Sequence, residues 1–468
     1  ANYYRDAIDD RTSEVPPAIS AISQGWLPCT LAAVTTAVGL ASLVLSKIEP
    51  IQSFGFYSAV GVIVSLAVLF LLLPSALYLF PPKPTSPDRG KIDESRSRGR
   101  IVGLIIDHHF LFATICLLLM ALCAWRIPWI RSTVKLQDRF LPSSDAIAEY
   151  RWLESHVGPM VPLEVVVHID DEDPRDLADQ IKLVAVVQAK IQSLDSRVAT
   201  MSAVNLCPRL PRGHGIGDIV ERKIINGRRT QSRLVDAKFL SETDDQNLWR
   251  ISVRANAIGD LDYGILAEEI RAAVMPQLDE QNAEGTFTGV IPLIYKAQRQ
   301  LLLDLFRSFI VAFFVIAGVL VVVLRSLTAT ALAMIPNVFP AVVIFGSIEW
   351  AGIPVQIGSV MTASAALGIA VDDTVHVLTW FRRGLRQGMS RRDAIKGAFG
   401  RCAGAMIHTT LICSCGLIVF ALSSFVPILH FAWLMVFLLG AALIGDLVLL
   451  PAILAGPLGR CFEKKTDR

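Results

Sequence analysis

Charge is scarce in this 468-residue chain: 18% of its residues are Asp, Glu, Lys or Arg, 53% are hydrophobic, and the mean hydropathy is +0.50. Soluble domains carry about one charged residue in four, so this composition excludes an ordinary soluble fold and points to many membrane spans. The net charge of +2 says little as a total, because its distribution along the chain is what informs; no nucleic-acid partner is expected. Cysteine is nearly absent from polar sequence. Cys29, Cys116, Cys123, Cys413 and Cys415 lie in apolar runs, Cys402 and Cys461 flank such runs, and Cys207 sits in the long polar segment. That distribution excludes an intramolecular disulfide framework. Without paired Cys/His spacing, no metal site and no cofactor is expected.

Long hydrophobic runs are what the chain has instead. Eight are long enough for a helix to cross a bilayer, at about 26–46, 54–80, 104–126, 304–324, 328–349, 356–380, 405–423 and 431–456. Lys and Arg accumulate in cytoplasmic loops, and the loops here differ sharply. The 381–404 loop carries seven basic residues against one acid and 81–100 carries six against three, whereas 47–53, 350–355 and 424–430 carry one Lys or Arg among them, Lys47. Both termini are therefore expected in the cytoplasm and 127–303 outside.

The least probable stretch is Gly368-Ile-Ala-Val-Asp372-Asp373-Thr-Val-His376, inside the run 356–380. One carboxylate near mid-span costs roughly 2.5–3.5 kcal/mol on insertion scales, and two with a histidine cost more. On a helical wheel with Asp372 at zero, His376 falls at about 40° and Asp373 at about 100°. The three share one arc with Ala365 and Gly368, small residues suited to close helix packing. Adjacent carboxylates titrate together, and a histidine one turn away can pass a proton on. These groups are expected to form a proton relay. His408, Thr409 and Thr410 at the start of the next span are possible neighbours, although each is also an ordinary packing residue. Pro336 and Pro340, with Asn337 between them, are expected to bend their helix and free carbonyls.

The outside segment reads as folded. Strands are expected at 162–169, 197–205, 248–257 and 285–291, with helices at 174–194 and 261–275. That β-α-β-β-α-β order predicts a ferredoxin-like domain, interrupted by an Arg-, Lys- and Gly-rich excursion at 206–246 that reads as an inserted, mobile segment. Its Gly213-His-Gly-Ile-Gly217 lacks a surrounding βα unit, so it does not read as a nucleotide loop. Pro81, Pro82, Pro84 and Pro87 open a connector at 81–103.

The chain also repeats itself. At a constant offset of 377, Gly39 matches Gly416, Pro50 matches Pro427, Phe54 matches Phe431, and Leu72-Leu73-Pro74 matches Leu449-Leu450-Pro451; Tyr4-Arg5 falls on Phe381-Arg382. The partners of Asp372 and Asp373 would precede Ala1. The expected organisation is the C-terminal part of a duplicated twelve-helix protein. Residues 1–80 end a first membrane block, 81–103 link it to 104–126, 127–303 form an α/β domain, 304–456 supply five more helices, and 457–468 are a tail. An N-terminal block of the same protein would be a partner, and without it no transport is expected.

On these residues the chain resembles the RND superfamily, specifically its MMPL or hydrophobe-exporter branch, related to Patched and sterol-sensing-domain proteins. The resemblance rests on Gly368-Ile-Ala-Val-Asp372-Asp373, on Asp138-Arg-Phe-Leu-Pro142-Ser-Ser-Asp145, and on the duplicated Gly-x10-Pro-x3-Phe signature ending in Leu-Leu-Pro. It implies a multi-pass protein of the bacterial inner membrane that exports lipids or other hydrophobic cargo on the proton gradient, with 127–303 periplasmic. Asp372 matches the family's proton carrier. Many members have Asp-Tyr where this chain has Asp372-Asp373, which leaves the role of Asp373 open. Membrane lipids are expected partners and a homo-oligomer is possible. A sterol-sensing or receptor-like protein without turnover is the alternative. An intramembrane aspartyl protease needs acids on two membrane helices; Asp372 and Asp373 are neighbours on one, and no Gly-x-Gly-Asp lies in another span, so no enzyme is expected.

Overall fold

The computed structural model describes residues 17–80, 100–130, 139–195, 198–207, 209–211, 213, 215–243, 245–258, 261–353, 355 and 357–462. Tyr4, Arg5, Asp138, most of the 81–103 connector and the tail beyond 462 lie outside the described residues. The chain divides into two compact units, one of Ala1–Ser132, Gln300–Ser423 and Pro427–Arg468, the other of Thr133–Arg299 with Ser424–Val426.

In the first unit the described helices are α1 (Pro17–Ala41), α2 (Glu49–Leu79), a helical stretch at 100–107 leading into α3 (His109–Arg126), and then, after the second unit, the long helix α9 (Val290–Leu324). α10 (Leu327–Trp350), α11 (Ile357–Arg386), α12 (Arg391–Ile418), α13 (Val426–Ile444) and α14 (Leu450–Ala455) follow. Among the described residues, seven helical stretches are long and apolar enough to cross a membrane: Gly25–Leu45, Glu49–Leu79, His109–Trp129, Phe306–Leu324, Leu327–Trp350, Arg391–Leu422 and Val426–Ala455. This is a multi-pass membrane chain. The sixth of the eight expected spans, 356–380, forms the continuous helix α11 but is not among the seven, because its acids and hydroxyl residues lower its hydropathy.

The internal repeat is carried into the backbone. α1 ends in a 3₁₀ turn at Ser42–Leu45 and α12 ends in one at Val419–Leu422; the helices after them start at Glu49 and Val426. Each pair of landmarks keeps the 377-residue offset of the sequence. The copies then diverge. α2 runs unbroken through Val68 and Leu69, whereas the matching positions after α13 form a π-helical turn, Gly445–Leu449.

The second unit is a small antiparallel sheet domain. After α4 (Asp145–His156) come β1 (Val161–Asp170), α5 (Leu177–Leu194), β2 (Val198–Met201), α6 (Ile216–Ile225), α7 (Arg228–Asp236), β3 (Leu240–Glu242), β4 (Gln246–Ala255), α8 (Tyr263–Glu280) and β5 (Glu284–Thr288). The strand order is β2-β4-β1-β5, with β3 paired to β4. Alternate residues of β1, namely Leu163, Val165, Val167 and Ile169, are fully buried, as a strand with one covered face requires. They meet the apolar faces of α5 and α8 in one core around Trp249, whose indole N–H donates to Gln180 Oε1 at 2.9 Å. The last strand stops short of 291 because Gly289 takes φ of +106°, where an added Cβ would lie 3.0 Å from Glu164 N.

The segment 206–246 is not the loose excursion that its composition suggested. It forms α6, α7 and β3, and Ile225, Leu234 and Leu240 join the core of the domain. Its charged residues cover the outer face and clasp α5. Asp176 caps α5 by accepting from Asp179 N–H at 3.0 Å, and it accepts from Arg222 Nε at 2.6 Å and Asn226 Nδ2 at 2.7 Å. Burial pulls the Asp176 carboxyl upward, but the bonds from Arg222, the Asp179 amide and Asn226 outweigh it and hold the group below its ordinary range. A depressed carboxyl stabilises the fold above the unfolded pKa, about 4, and that contribution disappears as the pH falls below it. Asp176→Ala is expected to weaken the domain by about 1–2 kcal/mol through loss of the cap and the clasp. It should also remove part of the acid sensitivity. Hydrogen exchange of the α5 amides at neutral and acid pH reads both effects, and native-like exchange at both would remove the clasp from the account.

Candidate functional site

α11 is the helix that holds the ionisable groups. Its far end is fixed first by small residues: Gly368 and Gly39 bring α11 and α1 into backbone contact. A Cβ on Gly39 would lie 2.8 Å from Ser364 O, and one on Gly368 would lie 3.1 Å from Thr36 Cα. Thr36 Oγ1 donates to Gly368 O at 3.2 Å across this crossing. Ala365 lies beside it, half-buried. The near end is fixed by Arg382, whose guanidinium donates to Val323 O at 3.2 Å and Leu324 O at 3.1 Å, the last carbonyls of α9. Between these anchors Val371, Val375 and Leu378 pack inward.

Asp372, Asp373 and His376 occupy the half-buried side of this helix. His376 Nε2 and Asp372 Oδ1 are 3.3 Å apart, an ion-pair distance without hydrogen-bond alignment, and the Asp372 side chain is 41% exposed. α11 packs along both α1 and α12. Two carboxyls and an imidazole are side chains that exchange protons in the physiological range when their surroundings shift them.

The other expected neighbours are placed elsewhere. α12 turns His408 and Thr409 to its exposed side, where His408 Nδ1 bonds with Gly404 O and Thr409 Oγ1 donates to Met406 O at 3.0 Å. No described contact joins either to the acids. Thr410 is half-buried on the same helix.

Two buried acids were not singled out from the sequence. Asp304, on α9, is 3% exposed and well satisfied: it accepts from Ser46 Oγ and the Lys47 amide, both at 2.8 Å, and from Gln300 Nε2 at 2.7 Å. It pins the 3₁₀ corner after α1. Asp446, in the π turn, is 1% exposed, and its Oδ1 lies 2.6 Å from Thr374 Oγ1 on the back of α11. Its Oδ2 is buried with no hydrogen-bond partner among the described residues. The signal for Asp446 was a lone carboxylate in the last apolar run.

The sequence profile of the MMPL family matches residues 3–102 and 155–467. The chain belongs to the MMPL family of RND-superfamily membrane transporters. No curated protein sequence matches this MMPL chain significantly. Among solved structures, the crystal structure of a heavy metal efflux pump is similar, with a TM-score of 0.59 at 12% sequence identity, over 93% of this chain and 59% of the pump. That likeness is one of fold. The MMPL chain thus spans about three-fifths of the length of that pump.

Proposed function

We propose that this MMPL chain drives the export of a lipid or other hydrophobic cargo, coupled to protons that Asp372, Asp373 and His376 take up and release. The observation that carries the reading is the placement of two acids and a histidine on one half-buried side of a helix whose other side is packed in apolar residues. Groups so costly in a membrane helix repay their placement by moving charge. Each proton crossing contributes about 2.3 kcal/mol per 100 mV, while each exposed CH₂ of an acyl chain costs about 0.8 kcal/mol. A few protons cannot offset full exposure of such a cargo, so it must travel along apolar surface. A cavity of about 450 Å³ lined by Ile344, Ile348, Val355, His430, Trp433 and Phe437 provides such surface at one end of α10 and α13.

In this reading α11 also spans the membrane, making eight spans, the sheet domain is a ferredoxin-like porter domain in the periplasm of a bacterial inner-membrane protein, and the basic 381–404 segment is cytoplasmic. Proton flux on addition of cargo to liposomes tests the coupling, and cargo movement indifferent to the proton gradient would sink it. Lipid copurifying with the full-length protein would name the cargo class. The orientation has its own test. Cys207 packs against the domain core, so the exposed Ser241 and Ser390 are better reporters. Ser241→Cys should react with an impermeant thiol reagent on intact spheroplasts, and Ser390→Cys only after permeabilisation. The reverse pattern would invert the topology.

A further inference from the structure

We infer that Asp446 is a third proton-binding carboxyl of this protein, neutral in the packing described, and that its proton closes a clasp of three helices through Thr374 and Asn337. The inference deepens the proton-coupled reading, since it adds a site behind the same helix.

It comes from counting protons. Thr374 Oγ1 lies 2.6 Å from Asp446 Oδ1 and 2.9 Å from Asn337 Oδ1, while Asn337 Nδ2 donates to Ala333 O at 2.9 Å. Thr374, Asn337 and Asp446 are all at most 1% exposed. A hydroxyl has one proton to give, and both oxygens facing it are acceptors when Asp446 is ionised. One of the two contacts would then bring oxygens together with no hydrogen between them. Turning the Asn337 amide over supplies a donor to Thr374 but sets Asn337 Oδ1 against the Ala333 carbonyl. A proton on Asp446 Oδ1 resolves the chain: the carboxyl donates to Thr374 Oγ1, Thr374 donates to Asn337 Oδ1, and Asn337 donates to Ala333. The partnerless Oδ2 is then a neutral carbonyl oxygen rather than half of a buried charge, which costs far less.

The backbone supports the assignment independently. The repeat partner of Asp446 is Leu69, in a regular helix, so the fold does not demand a π turn here. The turn departs from the repeat where the acid is, and such turns concentrate at functional positions. Pro340 has no N–H, which leaves the Pro336 carbonyl without its helical donor, and an added Cβ on Gly445 would sit 2.9 Å from that oxygen. Gly445 thereby lets the π turn approach α10 closely enough for Asp446 to reach Thr374. Titratable groups on the helices packed around this turn include Asp372, Asp373 and His376 on α11, His109 and Cys116 on α3 and Cys402 on α12. Thr374 directly follows Asp373. Ionisation of Asp446 would cost α11 its hydroxyl bond to one neighbour, at the turn that carries the acids.

The test is the carboxylic C=O stretch in the infrared spectrum of the full-length protein in liposomes at pH 7. An Asp372→Asn, Asp373→Asn background removes the acids of α11 as sources of the band, and loss of the band on Asp446→Asn separates it from Asp304. There, a buried carboxylic band is expected that vanishes on Asp446→Asn and shifts on Thr374→Val. Asp446→Asn should also keep the native melting temperature, because its amide donates to Thr374 as the protonated acid does, whereas Asp446→Leu should lower it. Absence of the band at pH 7, or a melting temperature for Asp446→Asn as low as for Asp446→Leu, would overturn the inference. Because the measurement needs no cargo, its failure is distinct from failure of the transport reading, which flux alone decides.

Discussion

Asp372→Asn is expected to reduce proton-driven export to the background of empty liposomes, while the protein still inserts and folds. Asparagine keeps the size and the hydrogen-bonding capacity of the side chain but cannot carry a proton. The structural cost is small. Asp372 Oδ1 pairs only loosely with His376, at 3.3 Å, and no other described group relies on it. The helix stays anchored by its crossing with α1 and by Arg382 at the end of α9. Asp373→Asn should be milder, with export persisting at a shifted pH optimum, because Asp372 and His376 remain to exchange the proton. Full-length protein in vesicles, assayed with an imposed proton gradient, reads both variants. Export by Asp372→Asn with unchanged proton dependence would falsify the assignment.

Gly39→Leu is expected to be strongly damaging. The position of α11 depends on its crossing with α1, where even a methyl group on Gly39 would lie 2.8 Å from the Ser364 carbonyl. Backbone cannot yield as a flexible side chain can, so a leucine must push the helices apart. Overpacking of this kind typically costs about 1–3 kcal/mol, and here it would also lengthen the bond from Thr36 to Gly368. The displaced helix carries Asp372, Asp373 and His376, so export should fall with stability. Gly61→Leu, where an added Cβ meets nothing within 4 Å, is the control and should behave as native. Equal melting temperatures and equal export for the two variants would show that the α1–α11 crossing does not position the acids.

The two halves of this protein differ in how openly the sequence declared them. The spans and the acidic helix were legible because hydrocarbon permits few alternatives: an apolar run of about 20 residues forms a helix there, and an acid pair inside one stands out against its cost. The repeat was legible for a related reason. Its Gly, Pro and Phe landmarks mark a helix end and a helix start, and the 3₁₀ turns at Ser42–Leu45 and Val419–Leu422 keep the same offset. The segment 206–246 was misread because α6 and α7 spend most of their residues on a charged outer face. The few that join the core, Ile225, Leu234 and Leu240, are too sparse to signal helices without the surface they pack on.

By itself, then, the sequence determined the membrane-spanning character, the family, the internal duplication and the arc shared by Asp372, Asp373 and His376, since each follows from local periodicity and from the cost of charge in an apolar run. Only the tertiary structure decided that His408 and Thr409 stand apart from that arc, that Asp304 is a satisfied corner, and that Asp446 reaches the back of α11. At the π turn Gly445–Leu449, Asp446 meets Thr374 and Gly445 meets the Pro336 carbonyl across the interface. Those partners lie more than 70 and more than 100 residues away in the chain, and nothing in the local pattern of a helix records what will face it.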